Sequence, residues 1–163
     1  MKSCVFAGTF DPFTNGHEFV VNKCLEAFDK VIVAVGVNVD KTPMFSLDER
    51  VSMIKANYMG NSRVEVEKFD GMLVDFMKKV GTKFNVRGIR DVDDYKYEVT
   101  MERFNRDMYA DLTTIFIPTP KELVHVSSSA MRNIINLSAD ASKYLPKAVF
   151  DYIKGLKKNS SKN

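Results

Sequence analysis

The amino-acid sequence predicts an α/β fold, a parallel β-sheet covered by helices on both faces. Short β-branched runs alternate along the chain with longer segments of helical period, the pattern of strand–crossover–strand units. The run Val31-Ile32-Val33-Ala34-Val35 is apolar at every position, as a strand buried on both sides has to be. No internal repeat, low-complexity block or linker interrupts the 163 residues, so they are expected to form one domain around a single core.

The elements follow in order. Cys4 to Ala7 reads as the first strand, and Gly8-Thr9-Phe10-Asp11-Pro12-Phe13-Thr14-Asn15-Gly16-His17 as the turn that carries it into a helix. In that helix His17, Val20, Val21, Cys24, Leu25 and Phe28 fall on one face, at the spacing of an amphipathic helix. Val31 to Val37 is the second strand, followed by the turn-rich loop Asn38-Val39-Asp40-Lys41-Thr42-Pro43. A second helix begins at Ser46, with Glu49 completing a capping box. Strand Val64 to Phe69 leads to helix Met72 to Val80, which stops at Gly81. Strand Phe84 to Arg87 precedes a highly charged helix, Val92 to Met108, expected to be solvated or at a subunit contact. Strand Thr114 to Ile117 is followed by appended helices over Ser129 to Leu137 and Pro146 to Leu156. The expected domain covers residues 1–157, with 158–163 a frayed tail.

Composition narrows the function. Charged residues at 28% and hydrophobic residues at 45% are ordinary for a water-soluble globular protein. A formal net charge of +3 suits an anionic substrate. It falls far short of a nucleic-acid-binding stripe, and no basic patch interleaved with aromatics suggests an RNA module. No apolar run approaches the ~20 residues needed to span a bilayer. Met1-Lys2-Ser3 leads straight into a strand without a secretory-signal pattern. The expected compartment is therefore the cytoplasm, with neither membrane nor nucleic acid as partner. Cys4 and Cys24 stand isolated in apolar patterns, so they read as buried hydrophobes rather than as a zinc site or a disulfide.

In a sheet of this kind ligands bind beyond the C-terminal strand ends, where the winding direction reverses. The candidate groups all follow strands. Gly8 and Gly16 allow tight bends, and the helix after them offers free N–H groups and a positive dipole end to a phosphate. His17 stands on its first turn as a candidate catalytic imidazole. Arg87 and Arg90 flank Gly88-Ile89 at a strand end, where a planar fork of donors suits phosphate oxygens. The acidic run Asp91, Asp93, Asp94 is read as capping the next helix rather than as a divalent-metal site. Lys41 sits in a loop, and Ser127, Ser128 and Ser129 precede a helix, where capping and phosphate binding are compatible. His125 has no partner visible in the sequence and reads as structural.

Five motifs, in this order and spacing, resemble the bacterial phosphopantetheine adenylyltransferases of the nucleotidyltransferase superfamily. They are Gly8-Thr9-Phe10-Asp11-Pro12 with Thr14-Asn15-Gly16-His17; Pro43-Met44-Phe45-Ser46-Leu47-Asp48-Glu49-Arg50; Arg87-Gly88-Ile89-Arg90; Tyr95-Lys96-Tyr97-Glu98; and Val126-Ser127-Ser128-Ser129. The resemblance covers essentially the whole chain. It implies a Rossmann-like domain with a five-stranded parallel sheet. It also implies adenylyl transfer from ATP to 4′-phosphopantetheine with Mg²⁺ as cofactor, and a homohexamer. By position, Thr9, Lys41, Leu73 and Arg87 are implied to contact the pantetheine substrate. The ATP site is implied to include Thr9, Phe10, His17, Gly88, Ile89, Arg90 and Glu98. It continues through Leu123, Val124, His125, Val126, Ser127, Ser128 and Ser129. His17, Lys41 and Arg90 are the implied catalytic groups, and no protein metal ligand is assigned. Relatives that load nicotinamide mononucleotide usually carry histidine where this chain has Thr14, which favours the pantetheine branch. Another phosphorylated acceptor, or nucleotide binding without catalysis, are the alternatives. The chain departs from the family pattern at Ala7, at Met72, and in Leu123-Val124-His125, which replaces a more aromatic run.

Overall fold

The computed structural model describes residues 1–37 and 42–160. Strand β1 (Ser3–Gly8) and helix α1 (Asn15–Ala27) are followed by β2 (Lys30–Gly36), α2 (Leu47–Asn57), β3 (Val64–Phe69) and α3 (Leu73–Val80). Then come β4 (Phe84–Ile89), α4 (Val92–Met108), β5 (Thr113–Pro118), a 3₁₀ turn at Lys121–Leu123, α5 (Ser128–Asn136) and α6 (Lys147–Ser160). The five strands form one parallel sheet in the order β3-β2-β1-β4-β5. The α/β fold expected from the alternating pattern is the fold adopted.

The two faces of the sheet are unequal. Cys4, Phe6, Val31, Val33 and Val86 point into the larger core, where α1, α2, α5 and α6 pack through residues such as Val21, Met53, Met131 and Val149. Val5, Ala7, Ile32 and Ala34 face a smaller one closed by Phe76 and Met77 of α3 with Leu112. Burial on both faces explains why the central strands are apolar without alternation. Helix α4 contributes little to either core: among its residues only Asn105 is buried, while Tyr97 and Phe104 stand exposed.

Local signals set most boundaries. Ser46 and Glu49 form the capping box at the start of α2, and Gly81 ends α3 in the left-handed region at φ 73°. Most ends fall within a residue of those expected, and three differences have a visible cause. β4 continues two residues past Arg87, because Gly88 and Ile89 pair with Ile117 and Pro118 of β5. α5 starts one residue early, at Ser128, with Ser127 as its cap. α6 runs to Ser160 rather than ending at Leu156, its last turn tied to α5 by Lys157 Nζ donating to the Ile135 carbonyl (3.0 Å).

The site lies where the sheet changes winding direction, between β1 and β4. β1 keeps register with β2 from Ser3 to Gly8, yet pairs with β4 only at Val5–Asn85 and Phe6–Val86. Beyond those pairs the β1–β4 ladder does not continue. Gly88 lets α1 approach, since a Cβ there would sit 2.9 Å from Val20 Cγ2.

Candidate active site

The floor of the site is the β1–α1 turn. Phe10 takes a left-handed conformation, φ 49°, which an L-residue adopts only where its surroundings enforce it. Its ring folds back over Gly8, where a Cβ would meet the ring at 2.9 Å. Thr14 caps α1, and the helix's third residue, His17, closes a reciprocal capping box. The Thr14 N–H donates to His17 Nδ1 (3.0 Å), and the His17 N–H donates to Thr14 Oγ1 (3.4 Å). Nδ1 is therefore an acceptor, which leaves the proton on Nε2. The imidazole is packed among the rings of Phe6, Phe10 and Phe13, at centroid distances of 6.2, 5.0 and 5.4 Å. Burial, reinforced by the guanidinium groups of Arg90 and Arg87, pushes its pKa down to about 3. At neutral pH His17 is an uncharged donor.

Both arginines are held by α4. Arg87 donates from Nε and Nη2 to Glu98 (2.8 and 2.5 Å) and from Nη1 to the Ala7 carbonyl. Arg90 donates from Nε and Nη2 to Asp94 (2.8 and 3.1 Å). Asp94 and Glu98 lie one helical turn apart, so one face of α4 grips two guanidinium groups side-on. The hydrogen bonds to Asp94 raise the Arg90 pKa, and the same bonds hold the Asp94 carboxyl below the usual range. Asp91 caps α4, accepting from the Asp94 N–H (2.8 Å). The acidic run thus caps a helix and positions an arginine, as the helix-cap reading anticipates.

A second layer ties the turn down. Asp11, buried, accepts the N–H groups of Met44 and Phe45 (both 2.9 Å). Ser127 caps α5 through the Ala130 N–H (3.1 Å), and Ser128 Oγ donates to the Pro12 carbonyl (2.8 Å). Arg132 donates to the Asp11 carbonyl (2.8 Å) and to Ser129 Oγ (3.0 Å).

These elements enclose a cavity of about 640 Å³, within the range of small-ligand sites. Thr9, Phe10 and His17 line one side, Arg87, Gly88, Arg90 and Glu98 another, and Val126 to Ser129 a third. Groups up to 120 positions apart in the chain are thereby brought together. Leu73, Ile89, Leu123, Val124 and His125 are not among the residues lining it. Leu73 packs instead against the smaller core. His125 is exposed and meets the Tyr144 ring edge-to-face at 5.8 Å. Lys41 lies outside the described residues.

Asp11, Arg50 and Arg132 were given no site role from the sequence, and Asp94 was read only as part of a helix cap, yet all four line the cavity. One signal was available, and only for one of the two arginines. Arg50 sits close to the N-terminal end of α2, where a cation opposes the dipole and needs another reason to be there; Arg132, at the middle of α5, carries no such signal.

The cytidylyltransferase-like family model matches residues 5–134. The phosphopantetheine adenylyltransferase of Chromobacterium violaceum is 42% identical over 154 residues, covering 92% of this chain and 94% of its own. That of Bacteroides fragilis is 40% identical over 149 residues, covering 91% and 99%. That of Campylobacter curvus is 38% identical, covering 94% and 99%. Among solved structures, a Vibrio parahaemolyticus protein superposes with a TM-score of 0.71 over 95% of this chain and 93% of its own. Its assignment as a nicotinate-nucleotide adenylyltransferase is provisional, and at 19% identity it speaks for the fold alone.

Proposed function

The chain belongs to the phosphopantetheine adenylyltransferase family, and on that premise we propose that it transfers the adenylyl group of ATP to 4′-phosphopantetheine, forming dephospho-coenzyme A and pyrophosphate. The observation that carries the proposal is the meeting, in one cavity, of a neutral imidazole donor with two guanidinium groups already aligned by α4.

The chemistry needs little else. A phosphate monoester carries about −1.5 to −2 charges at pH 7, so the nucleophile is ionised and no general base is required. Its oxygen attacks the α-phosphorus of ATP, the new O–P bond forms as the bond to the bridging oxygen breaks, and pyrophosphate departs with that electron pair. The obstacle is bringing an anion to a polyanion, which positioning and fixed positive charge overcome. In this reading His17 Nε2–H donates to the α-phosphate, and Arg90 meets the triphosphate. Thr9, Lys41 and Arg87 receive the acceptor phosphate. The N-termini of α1 and α5 add amide donors. Leu73 and the segment Leu123 to His125 are assigned to parts of the substrates that extend beyond the cavity.

Mg²⁺ is proposed to arrive with the nucleotide. The cavity's carboxylates are engaged, Asp94 and Glu98 by arginines and Asp11 by two amides, and the described residues hold no cluster of metal-ligating type. Triphosphate oxygens and water suit this ion, and when bound it neutralises phosphate charge. A homohexamer and a cytoplasmic location complete the proposal. No helix among the described residues is long and apolar enough to cross a membrane.

A pyrophosphate-release assay with ATP, Mg²⁺ and a panel of acceptors tests this. Turnover with 4′-phosphopantetheine and none with nicotinamide mononucleotide is expected. The reverse preference moves the chain to the other branch, and tight ATP binding without pyrophosphate release makes it a nucleotide-binding protein.

A further inference from the structure

Arg50 lies in the first turns of α2, 2% exposed, yet it borders the cavity. Its guanidinium joins three separate segments. Nη1 donates to the Thr9 carbonyl (2.6 Å) at the end of the β1 turn and to the Gly36 carbonyl (2.9 Å) at the end of β2. Nε donates to the Phe45 carbonyl (3.1 Å) just before α2. Burial lowers its pKa, and the nearby Asp11 carboxylate opposes that shift.

The location of these bonds matters more than their number. Phe10 is the left-handed residue of the turn, and the carbonyls on either side of it are both held. Thr9 accepts from Arg50 of α2, and Asp11 accepts from Arg132 of α5 (2.8 Å). A backbone in a sparsely populated conformation persists only where its neighbours over-determine it. We propose that Arg50 is a positioning residue for adenylyl transfer, pinning the Thr9 carbonyl to the end of β2 so that Thr9 and the strained Phe10 turn keep the geometry that receives the phosphates. The guanidinium is suited to this because its planar fork of five donors can serve carbonyls arriving from different directions, which a lysine ammonium on a flexible stem cannot reproduce. The role rests on the adenylyl-transfer reading for its catalytic consequence but not for the clamp itself.

The test compares wild type with Arg50→Lys, which retains the charge and loses the fork. Amide hydrogen exchange over residues 8–13 is expected to accelerate by tenfold or more, with exchange in β2 and α1 unchanged. Turnover is expected to fall by about 10²-fold, the scale for misplacing a reacting group by roughly 1 Å, while the KM for ATP changes by less than about threefold. A variant that merely melts at lower temperature, with the turn's exchange and kcat intact, overturns the proposal and leaves Arg50 a structural residue. If wild type fails to use 4′-phosphopantetheine while the turn still loosens in the variant, the substrate reading fails and the clamp stands. Should Arg50→Lys not fold, nitrogen-labelled arginine spectra of wild type decide. A guanidinium held on three carbonyls gives separate, slowly exchanging Nη protons, and one averaged signal for Arg50 refutes the clamp.

Discussion

Replacing His17 with glutamine separates its chemical role from its structural one. His17 is the third residue of α1 and closes a capping box with Thr14, a place that glutamine fills as well. In His17→Gln the side-chain oxygen can still accept the Thr14 N–H, now held by Nδ1 at 3.0 Å, so the helix start survives. The Nε2–H donor vector does not. Losing one preorganised donor to a developing transition-state charge costs about 3–4 kcal/mol, or roughly 10²–10³ in kcat. His17→Ala forfeits the cap too, at about 1 kcal/mol. Against a total stability on the order of 5–15 kcal/mol, both variants remain folded. Pyrophosphate release with saturating ATP and acceptor reads kcat, and a thermal melt reads the fold. The pH profile adds an internal control. With its pKa pushed down to about 3, the free-enzyme imidazole does not titrate near pH 6, whereas the acceptor phosphate does, with a second pKa of about 6. The limb in kcat/KM near that pH is therefore expected in wild type and variant alike. Near-normal turnover in both variants refutes the reasoning, as does a limb that disappears with the imidazole.

Three further outcomes are expected. Because His17 has a folded-state pKa of about 3 against 6.5 for an ordinary histidine, the unfolded chain binds a proton across that window that the native protein does not. Unfolding free energy should then fall as pH drops from about 6.5 toward 3, by at most about 5 kcal/mol from this group, and level off below. Denaturant titrations of wild type and His17→Ala should diverge in that sense, and identical pH slopes would contradict it. Lys41→Ala is expected to reduce kcat/KM for 4′-phosphopantetheine while sparing ATP, and kinetics showing the opposite split reverse its assignment. Cys4 and Cys24 are buried, and the hydrogen bond between them together with burial pushes the Cys4 thiol far above its usual pKa. A water-soluble disulfide reagent should label neither until the protein unfolds, so rapid labelling of the native state counts against this packing.

Features that depend on neighbours close in the chain were legible in the order of residues. Helical period placed α1, the Ser46–Glu49 capping box placed α2, Gly81 ended α3, and uninterrupted apolar runs declared a sheet buried on both sides. Short motifs after strand ends also picked out Thr9, His17, Arg87, Arg90 and the three serines, which do share a cavity. How those groups are poised depends on the completed fold. His17 became a neutral donor because the rings of Phe6, Phe10 and Phe13 enclose it beside arginines some seventy residues away in the chain. Arg87 is aligned by Glu98 across the β4–α4 connection, and the Phe10 turn is held by Arg50 and Arg132 from two separate helices. The difference is one of range. Periodicity and capping are satisfied within one or two turns of chain, whereas the field at an imidazole and the partners of a backbone carbonyl depend on whichever side chains the completed fold brings within a few ångströms.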